Sequence, residues 1–341
     1  MIAGGMAQRM FPCAVVYASC EGAVLVHEAF GRHTYEDAAR PASPGDLFDL
    51  ASVTKLFTTT VVLRLVERGL LHLDDAVATH VPEVRAAWTV ADVLAHRTGT
   101  TAALLSEAMK HGVRPCEPGQ EEALWRVIFG CKPVVALAEG QCHYSDVDLL
   151  LAQAVCERAA GRRLDELMAA EVLAPLGLAD TCFCPTEPRR CVPTELDSQW
   201  RHRLVAGEVH DEMAHTLGGV AGHAGLFATA ADVGRFGEAW LGLGGVPLLA
   251  DPTRRLAFAS HSADFGLGWR HFNASLLPSL ASHGAIGHLG FTGTSLFLFP
   301  RHSAVLVVLA NRVHPTRDAA PSRLPLLARV AEQVAAWAEH G

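Results

Sequence analysis

The chain has 341 residues, half of them apolar, with a formal net charge of −8 and a pI near 6.1. That much apolar material supports a large core in one domain or two lobes, and the acidic balance, without a basic tract or aromatic-basic interleaving, excludes a nucleic-acid binder. No apolar run approaches the ~18 residues that span a bilayer, so no membrane partner is expected.

Met1 to Met10 carries one Arg and two glycines ahead of the short apolar run Phe11 to Ala18, too weak a pattern for a secretory signal. Cys13 to Ser19 and Ala23 to Phe30 are β-rich runs joined by Cys20-Glu21-Gly22, which predicts a hairpin. The same turn explains Tyr17-Ala18-Ser19-Cys20 better than a lipoprotein cleavage site does. Pro41-Ala42-Ser43-Pro44-Gly45 then breaks the chain. Leu56 to Arg68 predicts a buried helix through Leu56, Val62, Leu63, Leu65 and Val66, with Gly69 at its C′ position.

From Leu70 to about Thr181 the pattern is helical and loop-rich. Thr89-Val90-Ala91-Asp92 opens a capping-box helix ending at Gly99, and Asp146 to Ala160 predicts a helix closed by Gly161. Leu164 to Leu173 predicts another, stopped by Pro175 and Gly177. Cys182 to Gly225 lacks periodicity and reads as a long loop. Thr229-Ala230-Ala231-Asp232 caps a helix to about Leu243. Phe265 to Phe272, Gly290 to Phe299 and Ala304 to Ala310 read as strands, with Pro300 to Ser303 as the last turn. Leu324 to Ala338 closes the chain as an amphipathic helix. Strands at both ends of a helical middle predict an α/β lobe, approximately 1–55 and 226–341, with a helical, loop-rich lobe of approximately 56–225 inserted and a ligand cleft at their junction.

The stretch that carries chemistry is Ser52-Val53-Thr54-Lys55. A Ser at i and a Lys at i+3 opening a helix share one face, so the ammonium can reach the hydroxyl. Only three of the 28 basic residues are Lys, and a partly desolvated Lys can give up its proton where Arg cannot. The same residues also fit a Ser N-cap followed by a solvated Lys, and spacing alone leaves both readings open. The nine cysteines, an odd number without framework spacing, point to reduced thiols in a cytoplasm.

No metal centre is expected. His210 and His215 are five apart and off one helix face, and Cys182, Cys184 and Cys191 lack a fourth partner. The Gly218-Gly219 to Gly225 run has no Lys or Ser/Thr in P-loop register. His215 and His223 read as loop anchors.

Two further stretches bear on Ser52. Tyr144-Ser145-Asp146 precedes a helix, and His288-Leu289-Gly290-Phe291-Thr292-Gly293-Thr294 opens a late strand. In this order the three motifs resemble the serine β-lactamase and penicillin-recognising enzyme family, on the branch holding class C β-lactamases, D-alanyl-D-alanine carboxypeptidases of the Tyr-x-Asn type and esterases of the same fold. The resemblance runs from the Cys13 hairpin to the closing helix. It includes Leu47-Phe48-Asp49-Leu50-Ala51-Ser52, Leu94-Ala95-His96-Arg97-Thr98-Gly99 and Ala174-Pro175-Leu176-Gly177-Leu178. The blocks Gly207 to Glu212, Gly218 to Phe227 and Asn311 to Arg317 are similar to a subgroup known only as serine hydrolases.

The resemblance implies an α/β (α+β) fold with an antiparallel sheet flanked by helices, and an N-terminus shorter than in relatives, without their leading helix. It implies acyl transfer without a cofactor on a small-molecule ester, amide or muropeptide. Ser52 would attack a carbonyl, and Lys55 and Tyr144 would share its proton, the Lys55 ammonium lowering the tyrosine pKa. The N–H groups of Ser52 and Phe291 would hold the oxyanion. Two departures stand out. Leu289 replaces a Thr whose hydroxyl helps bind a substrate carboxylate in relatives, which favours a neutral ester or amide over β-lactam or D,D-peptide. Thr292 and Thr294 are the candidates to compensate, and His288, as imidazolium, could attract an anion. Asp146 stands where relatives carry Asn, and either holds Lys55 or caps the following helix. A catalytically silent protein binding cell-wall fragments is the alternative of another class.

Overall fold

The computed structural model describes residues 1–245, 247–273, 277–318 and 321–340. Its central sheet has six antiparallel strands. The Cys13–Cys20 and Ala23–Gly31 hairpin pairs through its first strand with the last, Ala304–Ala310, and Ser295–Phe299, Ile286–Leu289 and Arg270–His271 follow in space. The two ends of the chain therefore build one sheet.

Ala304–Ala310 reads as an unbroken apolar run because both its faces are covered. Val305, Val307 and Leu309 enter one core, and Ala304, Leu306, Val308 and Ala310 enter a second. The helix Ala230–Leu241 lies on the first face, where a Cβ at Gly234 would fall 2.3 Å from the Tyr17 ring and one at Gly237 2.9 Å from Leu298 and Val305. On the second face Leu326, Leu327, Val330, Ala331 and Val334 of Leu324–His340 join Phe297 and Phe299.

Thr54–Glu67 is buried at every residue from Thr54 to Leu63. A helix buried on every side is an interior one, here with Thr54, Lys55 and Thr58 to Thr60 enclosed among its apolar residues. It packs against Asp146–Ala160, and its Phe57 stacks on Phe236 at 3.8 Å between centroids. This sandwiched helix gives Ser52 and Lys55 a rigid base.

Several expectations are corrected. The Thr89–Asp92 capping box forms, but its helix ends at Leu94, ahead of His96 in the left-handed region at φ +54°. Pro175 does not stop the Leu164 helix. The helix passes through a wider π turn at Ala169–Leu173 and runs to Leu176 before Gly177. Of Phe265 to Phe272 only Arg270–His271 pairs as a strand, since Gly268 at φ +72° turns the chain. Gly290 to Thr294 is a hairpin turn, with Gly293 at φ +127°, between the strands Ile286–Leu289 and Ser295–Phe299. The long loop holds the short helix Glu212–Thr216, and Ile2–Ala7 and Asp251–Phe258 are further helices outside the expected set. No described helix is long and apolar enough to cross a membrane.

Candidate active site

A nucleophile needs a fixed backbone, and here it begins one residue early. Ala51 adopts φ +45°, a conformation disfavoured for a residue with a Cβ. Asp49 Oδ1 compensates by accepting the Ala51 N–H at 2.8 Å, and Asp49 Oδ2 accepts the His210 N–H at 2.6 Å. Ser52 then enters the first turn, where N–H groups lack intrahelical acceptors.

One turn on, the fully buried Lys55 uses all three ammonium protons. Its Nζ donates to Ser52 Oγ at 2.9 Å and to the His223 carbonyl at 3.0 Å, and pairs with Asp146 Oδ1 at 2.7 Å. Ser52 makes no side-chain cap. The reading of a capping Ser and a solvated Lys is thereby set aside.

Tyr144 Oη completes the group, 2.9 Å from Ser52 Oγ. Its ring packs on His96 at 4.7 Å, and the His96 carbonyl accepts the His143 N–H at 2.8 Å. His96 Nδ1 in turn lies 2.8 Å from the buried Asp148, so the Leu94 to Gly99 block supports the tyrosine. The two readings of Asp146 are resolved as well. Ser145, not Asp146, caps the helix by accepting the Val147 N–H, which leaves Asp146 to the ammonium.

Electrostatics overturn two expectations. Burial disfavours the Lys55 ammonium, yet the Asp146 carboxylate and Tyr144 together outweigh it and hold the pKa above the ordinary lysine value. Burial raises the Tyr144 pKa, and Lys55 offsets only part of that rise. The expected lowering fails because burial outweighs the ammonium, with the Asp146 carboxylate adding to the rise. His288 is a neutral imidazole: burial, then Lys55, push its pKa well below the usual value. Its proposed attraction for an anion as imidazolium is therefore withdrawn.

The Gly290 to Thr294 turn brings Phe291 to the same place. The Phe291 N–H meets no acceptor among the described residues. Thr292 Oγ1 donates to the Asp49 carbonyl at 2.7 Å and Thr294 Oγ1 to the Leu50 carbonyl at 2.8 Å. Both hydroxyls are thus committed, so neither replaces the Thr lost at Leu289. Gly290 is required by closeness: a Cβ there would fall 2.1 Å from Thr294 Oγ1 and 2.5 Å from the Leu50 carbonyl oxygen. Arg323, buried, donates to the Gly290 carbonyl at 2.8 Å and the Thr294 carbonyl at 2.9 Å.

A cavity of about 480 Å³ opens above these groups, lined by Ser52, Tyr144, Asp146, His288, Gly290 and Phe291 among others. A hydroxyl flanked by an ammonium and a phenol, facing unpaired N–H groups across a cavity, can perform acyl transfer.

Comparison with known proteins agrees with this geometry. The family model described as Beta-lactamase matches residues 1–329. The chain belongs to the β-lactamase family. This β-lactamase-family serine hydrolase is 32% identical over 344 residues to a protein of Escherichia coli K12 named "Putative D-alanyl-D-alanine carboxypeptidase", covering 89% of this chain and 77% of that one. A protein of the same name from Salmonella agona is 30% identical, over 80% of this chain and 71% of the relative. Among solved structures, EstCE1, a hydrolase with promiscuous acyltransferase activity, superposes with a TM-score of 0.75 at 22% identity, over 97% of this chain and all of that one. A class C β-lactamase from Rhodobacter sphaeroides superposes at 0.73 and 18% identity, over 98% of each chain.

Several cavity residues of this β-lactamase-family hydrolase carried no clear signal in the sequence. Asp211 caps Glu212–Thr216 and accepts from His223 Nε2 at 2.9 Å. Burial works against its charge, but His223 and the helix N–H groups keep its carboxyl well below the usual range. Asp146, Asp211 and His223 bring ligand atoms within 4.8 Å of one another, and the Lys55 ammonium stands beside them. His215 anchors its loop as expected, 3.3 Å from Glu208. Arg317 is committed to Glu195 and Glu212, each at 2.7 Å. Arg312 lies 5.1 Å from the Phe291 ring centroid and donates to the Phe291 carbonyl. The Arg270 side chain lies over the Phe265 ring at 5.6 Å without an ion pair or hydrogen bond among the described residues, and its buried Nε lacks an acceptor. The surplus of Arg over Lys hid these residues, since only position distinguishes a site arginine from a surface one.

Proposed function

We propose that this protein cleaves a carboxylic ester or amide through a Ser52 acyl-enzyme. The observation that carries the reading is that Ser52 Oγ lies 2.9 Å from both Lys55 Nζ and Tyr144 Oη. Lys55 and Tyr144 titrate as a pair, and Asp146 keeps the ammonium on Lys55. The base is then the Tyr144 phenolate beside that ammonium. It takes the Ser52 proton as Oγ attacks the carbonyl, and returns it to the leaving oxygen or nitrogen. The oxyanion lies between the Ser52 and Phe291 N–H groups, and water hydrolyses the acyl-enzyme through the same phenolate. His288, Gly290 and Asp146 complete the site, at the junction of an α/β lobe of 1–55 and 226–341 with a helical lobe of 56–225. The odd cysteine count supports a cytoplasmic setting.

A second reading, D-alanyl-D-alanine carboxypeptidase action, is favoured by the names of the relatives at 32% and 30% identity. A muropeptide substrate fits both readings. The test is the initial rate on a short-chain p-nitrophenyl ester, wild type against Ser52→Ala, with a D-alanyl-D-alanine peptide and a chromogenic cephalosporin alongside. Ester turnover that vanishes with Ser52 supports the first reading, and faster turnover of the peptide promotes the second. A rate that does not depend on Ser52 on any of them leaves a binding protein for cell-wall fragments.

A further inference from the structure

We infer that Asp211 is a positioning residue for acyl transfer, holding through His223 the carbonyl that aims the Lys55 ammonium at Ser52. The inference rests on the acyl-enzyme reading of Ser52. An ammonium on a four-carbon stem takes its aim from its acceptors, and Lys55 has three of them. Ser52 Oγ is the reacting atom, and Asp146 is a partly exposed side chain with rotamers of its own. The His223 carbonyl, 3.0 Å from Nζ, is the one acceptor that belongs to the backbone. It can hold the ammonium only as firmly as its own segment is held.

That segment is tied on both sides of His223. The Gly222 N–H donates to Gln153 Oε1 at 2.9 Å, and a Cβ at Gly222 would fall 2.2 Å from the Leu149 carbonyl oxygen, so the turn lies directly on the Asp146–Ala160 helix. The Leu226 N–H reaches Thr54 Oγ1 at 3.3 Å. Between these ties the His223 ring is the remaining freedom. It is buried, and its Nδ1 meets no partner among the described residues. Its Nε2 donates to Asp211 Oδ1 at 2.9 Å, since an ionised carboxylate only accepts. Asp211 is therefore the polar hold on the ring, and it is held in turn. The same Oδ1 accepts the Met213 and Ala214 N–H groups at 3.0 and 2.8 Å, and the preceding His210 N–H is bonded to Asp49.

Ser52 and Lys55 are thus connected twice. One connection is the helix turn they share, and the other runs from Asp49 through His210 and Asp211 to His223 and back to Nζ. An aspartate that only capped the five-residue helix Glu212–Thr216 would need no buried imidazole on the same oxygen. His223 is a loop anchor, and what it anchors is an acceptor of the catalytic ammonium. Asp211 also brings charge. Its carboxylate faces His223 and Lys55, with ligand atoms of Asp146 and His223 within 4.8 Å, and Asp49 and Cys116 are close enough to feel it. Glu212 beside it is paired with Arg317, and Arg201 is spent on Asp197 and the Val209 and His210 carbonyls. Like Asp146, Asp211 therefore favours the fully protonated Lys55–Tyr144 pair, from beyond contact distance.

The experiment measures kcat and KM on a p-nitrophenyl ester across pH for wild type, Ser52→Ala, His223→Leu, His223→Gln and Asp211→Asn, with circular dichroism reporting the fold. His223→Leu keeps the bulk and removes the donor. It should cut kcat about tenfold or more while KM moves less than about threefold, the pattern of a misplaced proton-transfer group. His223→Gln, whose amide can donate to the same oxygen, should recover part of the loss. Asp211→Asn keeps an Oδ1 for all three bonds and removes the charge, so the rising limb of its pH profile should move down by about half a unit. A folded His223→Leu with wild-type kcat, no recovery in His223→Gln, or an unmoved limb in Asp211→Asn overturns the assignment. If His223→Leu does not fold, the Asp211→Asn limb decides alone. Turnover that wild type and Ser52→Ala share would end the acyl-enzyme reading and this inference with it, whereas Ser52-dependent turnover that ignores His223 ends the inference alone.

Discussion

The replacement of Asn by Asp at position 146 makes a prediction about pH. Asp146 Oδ1 lies 2.7 Å from Lys55 Nζ, and its side chain is 28% exposed. A pair of unit charges at 4 Å is worth about 4 kcal/mol at an effective dielectric constant near 20. Partial exposure reduces this, and an opposite charge at contact distance typically moves a pKa by about 1–3 units. The sign follows from the proton that must leave. The carboxylate stabilises the fully protonated Lys55–Tyr144 pair, so the pair gives up its first proton at a higher pH than it would without Asp146. In wild type, where both groups are held above their ordinary values, kcat/KM should rise with pH into the alkaline range. In Asp146→Asn, which keeps the shape and one acceptor, the rising limb should move down by about one to two pH units. The assay is kcat/KM on a p-nitrophenyl ester across pH, with spontaneous hydrolysis subtracted. A limb that stays in place, or moves up, would refute the claim that Asp146 sets the protonation of the base.

Tyr144→Phe and Lys55→Ala should each slow ester turnover by ~10²-fold or more, with circular dichroism unchanged; near wild-type rates in either would remove that residue from proton transfer. Gly290→Ala places a Cβ 2.1 Å from Thr294 Oγ1 and 2.5 Å from the Leu50 carbonyl. It should therefore displace the Phe291 turn and cut kcat at least about tenfold, the scale of losing an oxyanion donor. A folded Gly290→Ala variant with unchanged kcat would mean that the turn does not hold the oxyanion. Asp148→Ala removes the acceptor shared by His96, Thr98 and Thr100 in a fully buried site. Unfolding in urea should show a loss of about 2–4 kcal/mol from stranded polar groups. A loss under about 1 kcal/mol would show that these groups find other partners.

What could be read from the sequence divides along physical lines. Local signals were reliable where one residue decides the backbone: the Asp146–Ala160 helix ends at Gly161, and the Thr89–Asp92 box caps as written. The order of Ser52, Tyr144 and His288 carried the family and the three central groups. The boundaries of the late strands were misread because Gly290 to Thr294 is as rich in Phe and Thr as a strand, while its conformation depends on Gly293 and on contacts to Asp49 and Leu50 far earlier in the chain. The protonation states lay beyond reach for a similar reason. Whether Tyr144 is lowered by Lys55 or raised by burial depends on how much water is excluded, and that is a property of the closed fold. Arg270 was invisible because a lone Arg in a weak strand looks like any other until its neighbours are seen to be occupied.

The block around Asp49 explains why such distant motifs occur together. Its two carboxylate oxygens accept from Ala51 and His210, and its carbonyl accepts from Thr292. One short segment therefore fixes the strained residue before the nucleophile, the loop that carries Asp211, and the turn that carries Phe291. His210 also stacks on Phe291 at 5.8 Å and pairs with Glu195, which holds Arg317. Burial raises the Asp49 pKa, while the N–H groups of His210 and Ala51 draw it down. The carboxylate can stay ionised there only while both donors remain in place. The cavity wall and the nucleophile are thus parts of one hydrogen-bonded unit, and a change that loosens the loop from Gly207 to Glu212 must also reach Ser52, although no residue of that loop donates to its hydroxyl.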